Sequence, residues 1–145
     1  MLYLYDGSLD VASILKDWYD IEAKSNYGAY VTFVGTVRSE DDIDGLSFDI
    51  YEPILQKWFD TWREKANSKG AIIKMAHSRG DVMLHKSSYI SAVFSPKRRV
   101  ALELIDEFVE DFKASAPIWK YDLKDKKRIY AKDRSTAMEH SGLLA

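Results

Sequence analysis

Apolar positions along the chain alternate between two periods, and each change of period marks a new element. "LYLY" at residues 2–5 is a short strand. From Val11 the apolar residues fall at Ile14, Leu15, Trp18 and Ile21, a spacing that predicts a helix for which Ser8 is a suitable cap. "GAYVTFVGTV", rich in β-branched and aromatic residues, predicts a long strand. An acidic loop, "RSEDDIDG", leads into "LSFDIY", where Leu46, Phe48 and Ile50 alternate with polar neighbours as in a half-buried strand. Pro53 fits the first turn of a second helix with the stripe Leu55, Trp58, Phe59, Trp62 and Ala66, which Gly70 stops. "AIIKMAH", "DVML" and "SSYISAVFS" predict three further strands joined by tight turns. A last helix over residues 97–113 carries Val100, Ala101, Leu104, Ile105, Phe108 and Phe112 on one face, and Pro117 prevents its continuation.

Strands interrupted by about three helices, without a regular βαβ alternation and with short connections, predict an α+β fold built on a mostly antiparallel sheet. The 145 residues show no repeat, no low-complexity segment and no linker, so 1–145 is expected to be one domain. A chain of this size buries about two thirds of the surface of its unfolded form, so no disulfide or metal staple is needed. No apolar run approaches the ~20 residues of a membrane span, and the N-terminus lacks a secretory or transit signal. A cytoplasmic protein without membrane contact is therefore expected. The absence of cysteine excludes a thiolate nucleophile, a Cys-type zinc site and an iron–sulfur cluster.

The net charge of −2 argues against a general nucleic-acid binder, but it hides an asymmetry. Residues 1–96 carry 10 Lys/Arg against 14 Asp/Glu, a balance of −4; residues 97–134 carry 11 against 8, a balance of +3. The basic end contains the candidate chemistry. Lys113 lies at the margin of the last helix's apolar stripe, and Lys120 follows "PIW", in chain that Pro117, Ile118 and Trp119 tie to the core as a packed hinge. The two lysines sit on different elements and can converge on one mouth. Ammonium groups held together repel, and an amine that sheds its proton acts as nucleophile or general base. Each lysine taken alone is more simply read as a stem laid on apolar surface with a solvated head.

"SPKRRVALEL" sets Lys97, Arg98 and Arg99 at a helix N-terminus, where the macrodipole disfavours cations. An anionic ligand relieves that conflict, and so do neighbouring carboxylates. In "FVGTVRSE", Gly35 inside a strand predicts a bulge or a close backbone approach, with Arg38 at the strand end. Arg38 can join an anion site, but as a lone feature it is more simply read as a surface arginine paired with Glu40, Asp41 or Asp42. His77, His85 and His140 have no metal-ligand spacing, and "EDDID" lacks the Gly and Glu of a calcium loop, so neither metal nor resident cofactor is expected.

Taken together, "GAYVTFVGTVR", "IYEP", "HSRGDV", "SPKRRVALELIDEFVEDFK" and "APIWK" resemble the large, catalytic subunits of molybdopterin synthase, in the family's order and at similar separations from Gly28 to Lys120. The resemblance implies an α/β-hammerhead-like fold, a homodimer, and a ubiquitin-like small subunit as partner, whose C-terminal Gly-Gly ends in a thiocarboxylate. That tail would deliver sulfur to cyclic pyranopterin monophosphate, forming the dithiolene of molybdopterin in molybdenum cofactor biosynthesis. Lys113 and Lys120 match the two lysines at the family's reacting centre, and Arg38 and Arg98 match its anion-pocket arginines. Lys97 falls where histidine is common, which keeps a cation but loses a group that titrates near neutrality. "HSRG" departs from the usual His-Arg-x-Gly. Lys132 or Arg134 is implied as a basic residue donated across the dimer. Two rivals follow from the same basic mouth: a non-catalytic anion- or RNA-binding module, and a Schiff-base lysine enzyme.

Overall fold

The computed structural model of the chain describes residues 1–130. Lys132 and Arg134 lie outside the described residues. The element order is β1 (Leu2–Asp6), α1 (Val11–Glu22), β2 (Ala29–Thr36), β3 (Gly45–Ile50), α2 (Glu52–Ser68), β4 (Ile72–Met83), β5 (Ser87–Ser95), α3 (Arg98–Ser115), β6 (Ile118–Lys124) and β7 (Lys127–Tyr130). Three helices and seven strands form the α+β architecture that the periodicity predicts. The strands join in the order β2-β5-β4-β3-β6-β7, and β1 also pairs with β4. Every pairing is antiparallel except β1 with β4, which is parallel.

The centre of the sheet explains why the sequence there is so uniformly apolar. Successive β5 side chains point to opposite faces, and both faces are covered, so all nine residues of Ser87–Ser95 are buried. Tyr89 and Val93 face a cluster with Leu55 and Phe59 of α2 and Leu104 and Phe108 of α3. Ile90, Ala92 and Phe94 face Ile14 and Trp18 of α1. Leu55, Phe59 and Phe108 are fully enclosed, and each such side chain contributes about 1.5–3 kcal/mol on burial.

Four local expectations change. Asp10, not Ser8, caps α1, its carboxylate accepting the Ser13 amide at 3.2 Å. Ile21 is 61% exposed, because the cluster that holds Ile14 and Trp18 ends before it. "AIIKMAH" and "DVML" are one strand: Ile72–His77 of β4 pairs with β5, and Gly80–Met83 pairs with β3. Gly80 stands at the change of partner with φ of +73°, a left-handed conformation that glycine adopts without a Cβ penalty.

The fourth change bears on the site. The "PIW" segment is not a hinge but the entry to β6, which pairs with β3 from Ile118 to Leu123. Ala116 turns extended (ψ 133°), as a residue before proline must, and Pro117 is fully buried. α3 therefore ends abruptly and the chain re-enters the sheet, with Lys120 directly opposite Phe48 of β3.

Candidate functional site

Where β2 ends, α3 ends and β6 begins, a cleft of ≈ 380 Å³ opens. Arg38, Lys113 and Lys120 supply its positive charge, Val37, Ile43 and Leu46 its apolar wall, and Thr36 and Glu40 complete the lining. The three cations predicted from separate motifs thus share one cavity.

Each is placed by a different device. Gly35 lies tight against Tyr89, so that an added Cβ would come within 3.3 Å of the Tyr89 Cβ, and the β2–β5 register shifts between Gly35 and Thr36. Both features expected of a strand glycine are present, and together they redirect the chain after Thr36. The following loop is tied down by Val37 N–H to Lys86 O (2.9 Å), His85 N–H to Val37 O (2.6 Å) and Asp44 N–H to Leu123 O (2.8 Å). Asp41 and Asp42 take left-handed φ values of +50° and +55°, which short polar side chains tolerate. The loop holds the Arg38 guanidinium 3.0 Å from the Glu40 carboxylate.

Lys113 occupies the last turn of α3, where the helix macrodipole favours a cation. Its neighbour Phe112 fixes that turn by stacking on Tyr89, with ring centroids 4.0 Å apart and planes 3° from parallel. Asp111 fixes it from the other side, accepting the indole N–H of Trp58 at 2.9 Å and of Trp62 at 2.7 Å. Lys120 shares a sheet face with Phe48, its directly opposed partner, and Phe48 is only 6% exposed. The edge of Phe48 meets the His77 ring at 4.9 Å.

His77 lies beneath these groups, buried among Phe48, Tyr89 and Phe112. Its Nδ1 is 2.8 Å from the Ser78 carbonyl, which can only accept, so Nδ1 carries the proton. Burial pushes its pKa down to about 4, against the opposing pull of that hydrogen bond. The ring is neutral at physiological pH. Among the described residues no cluster of His, Asp and Glu is arranged to hold a metal ion.

Lys97 and Arg98 do not line this cleft. They are exposed at the start of α3, with Arg98 fifteen residues before Lys113, which is about 22 Å at the helical rise. Lys97 makes no side-chain cap there. The sequence grouped them with Lys113 and Lys120 by charge, but α3 keeps the two groups apart within one chain. Conversely, Ile43 and Leu46 are loop and strand residues in the sequence reading, and Glu40 only a candidate surface partner of Arg38. For Glu40 the signal was present in its position two residues after Arg38.

The family model described as MoaE protein matches residues 5–115. The molybdopterin synthase catalytic subunit of Helicobacter pylori strain ATCC 700392 / 26695 is 51% identical over 145 residues, the whole of both chains. That of strain J99 / ATCC 700824 is 44% identical, again over both whole chains. Among solved structures, a chain of the protein-protein complex of subunit 1 and 2 of molybdopterin-converting factor from Helicobacter pylori 26695 superimposes with a TM-score of 0.93 at 51% identity, covering 99% of each chain. Matched by the family model through β1 to α3 and by relatives from end to end, the chain belongs to the MoaE family.

Proposed function

We propose that the chain is the catalytic subunit of a molybdopterin synthase, a sulfurtransferase of molybdenum cofactor biosynthesis. The observation that carries this reading is the meeting of Lys113 and Lys120, from a helix end and a strand, with Arg38 in one cleft. The partner is a small subunit whose C-terminal tail presents a thiocarboxylate, and the substrate is cyclic pyranopterin monophosphate. The cations of the cleft suit the charged tip of an extended tail. Lys120 and Lys113 polarise the thiocarboxylate carbonyl and carry protons: its sulfur bonds to a pterin side-chain carbon as a C–O bond there breaks, water then cleaves the thioester so formed and the tail leaves as a carboxylate, and Arg38 balances the anionic charge.

Lys97 and Arg98 enter this reading through a second copy of the chain. β2 runs from one group to the other: Ala29 pairs with Ser95, beside the start of α3, and Thr36 lines the cleft, about 24 Å away. Among the described residues β2 is an edge strand, paired only with β5, and it exposes Phe33 and Val34. Two copies joined antiparallel along β2 would set each Lys97–Arg98 pair beside the other copy's cleft. A homodimer with two composite sites is the arrangement that uses all five cations.

Substitution of Lys120 tests the catalytic assignment. Lys120→Ala should abolish single-turnover conversion of cyclic pyranopterin monophosphate by thiocarboxylated partner, and the fold and the partner complex should persist. Lys120→Arg should not restore it, because a guanidinium stays protonated and is too broad for the site. Near wild-type turnover in either variant would defeat the assignment.

A further inference from the structure

The cleft contains a negative charge that sulfur transfer does not call for. Glu40 lines it together with the three cations, and its carboxylate stands 3.0 Å from Arg38. The Arg38 side chain is 85% exposed, and ion pairs of that kind are weak and exchange readily. An anion entering the cleft can therefore take over the guanidinium. It then lies within a few ångströms of the Glu40 carboxylate, carried by a loop whose backbone is tied to Lys86, His85 and Leu123.

We propose that Glu40 is a specificity-determining residue that sorts anions by charge, admitting singly charged groups to the cleft and disfavouring doubly charged ones. The proposal rests on the reading of this cleft as the anion site. A monoanion can be neutralised by Arg38 and the lysines, whereas each further negative charge must sit against Glu40. Two like charges ~6 Å apart at a protein surface repel strongly enough to change affinity on the order of three- to tenfold. A thiocarboxylate and a cyclic phosphodiester each carry one charge; a phosphomonoester carries about −1.5 to −2 near neutrality. Glu40 thus favours a cyclic phosphate and a tail over any product whose phosphate ring has opened to the monoester, and it speeds that product's departure.

The test uses the full chain and two probes that differ in charge, phenyl phosphate and methyl phenyl phosphate, titrated calorimetrically at pH 8 and low salt. Glu40→Gln should raise affinity for the dianion at least about threefold more than for the monoanion, and the difference should shrink as salt screens it. An unchanged ratio of the two affinities would overturn the proposal. Arg38→Ala separates the two levels of the reading. If it weakens both probes while Glu40→Gln leaves their ratio alone, the anion cleft stands and the role of Glu40 falls; if it affects neither probe, both fall.

Discussion

His77 is the residue whose environment most changes its chemistry. Enclosed by Phe48, Tyr89 and Phe112, it titrates at about 4 in the folded chain against an ordinary value of 6.5. Between those values the unfolded chain takes up a proton that the folded one refuses, so stability is full above pH 6.5 and falls as the pH drops toward 4. The loss should approach about 3 kcal/mol. Urea unfolding across that range should show the decline in the wild type and a shallower slope in His77→Gln; parallel slopes would place the pH sensitivity elsewhere. The sequence showed only a histidine without metal spacing, since burial is settled by what packs around a residue from distant segments. Lys113 and Lys120 were legible for a different reason: each stands beside a structural mark, the margin of an apolar stripe or a proline and tryptophan. Arg98 carried such a mark too, but distance along a helix cannot be read from charge.

Among the elements, α2 and α3 were legible to within a turn because their stripes are long and apolar on one side. What joins them was not. Asp111 receives two indole N–H groups from α2, and this clamp holds the turn that carries Lys113. Asp111→Ala leaves both partly buried donors without that acceptor and should cost about 1–3 kcal/mol. Thermal unfolding measures it, and a melting temperature within a degree of wild type would deny the clamp a structural role. β4 reads in the sequence as two strands because "HSRGD" looks like a turn; the chain instead continues as one strand and exchanges partners at the left-handed Gly80. β6 and β7 escaped notice because the lysines, arginine and aspartates of residues 120–128 mask their alternation. Among the described residues β7 is the edge strand and β6, beside it, is only partly buried, so both tolerate such charges.

At the scale of the whole molecule, the separation of Arg98 from Lys120 makes a prediction that no single chain can satisfy. Arg98→Ala and Lys120→Ala should each be inactive as pure proteins. In a mixed dimer one site receives both defects and the other receives neither. Statistical mixing of the two inactive variants should then restore about a quarter of wild-type activity, provided the sites are composite in a two-fold dimer. No recovery after subunit exchange, confirmed by mass, would mean that Arg98 serves its own chain or none. No helix among the described residues is long and apolar enough to cross a membrane. The parallel pairing of β1 with β4 has a further consequence, in time rather than space. The Met1 amine donates to the carbonyl of Ile73, 72 positions later, and Lys120 reaches its place opposite Phe48 only after most of the sheet has been made. At about 5–20 residues per second of synthesis, β1 waits several seconds for its partner, and the cleft cannot close until Lys120 has been made. Contacts of such high sequence separation also make refolding slow, on the order of milliseconds to seconds. Recovery of sulfur transfer should therefore lag behind recovery of helix signal, and the site reports on the completion of folding.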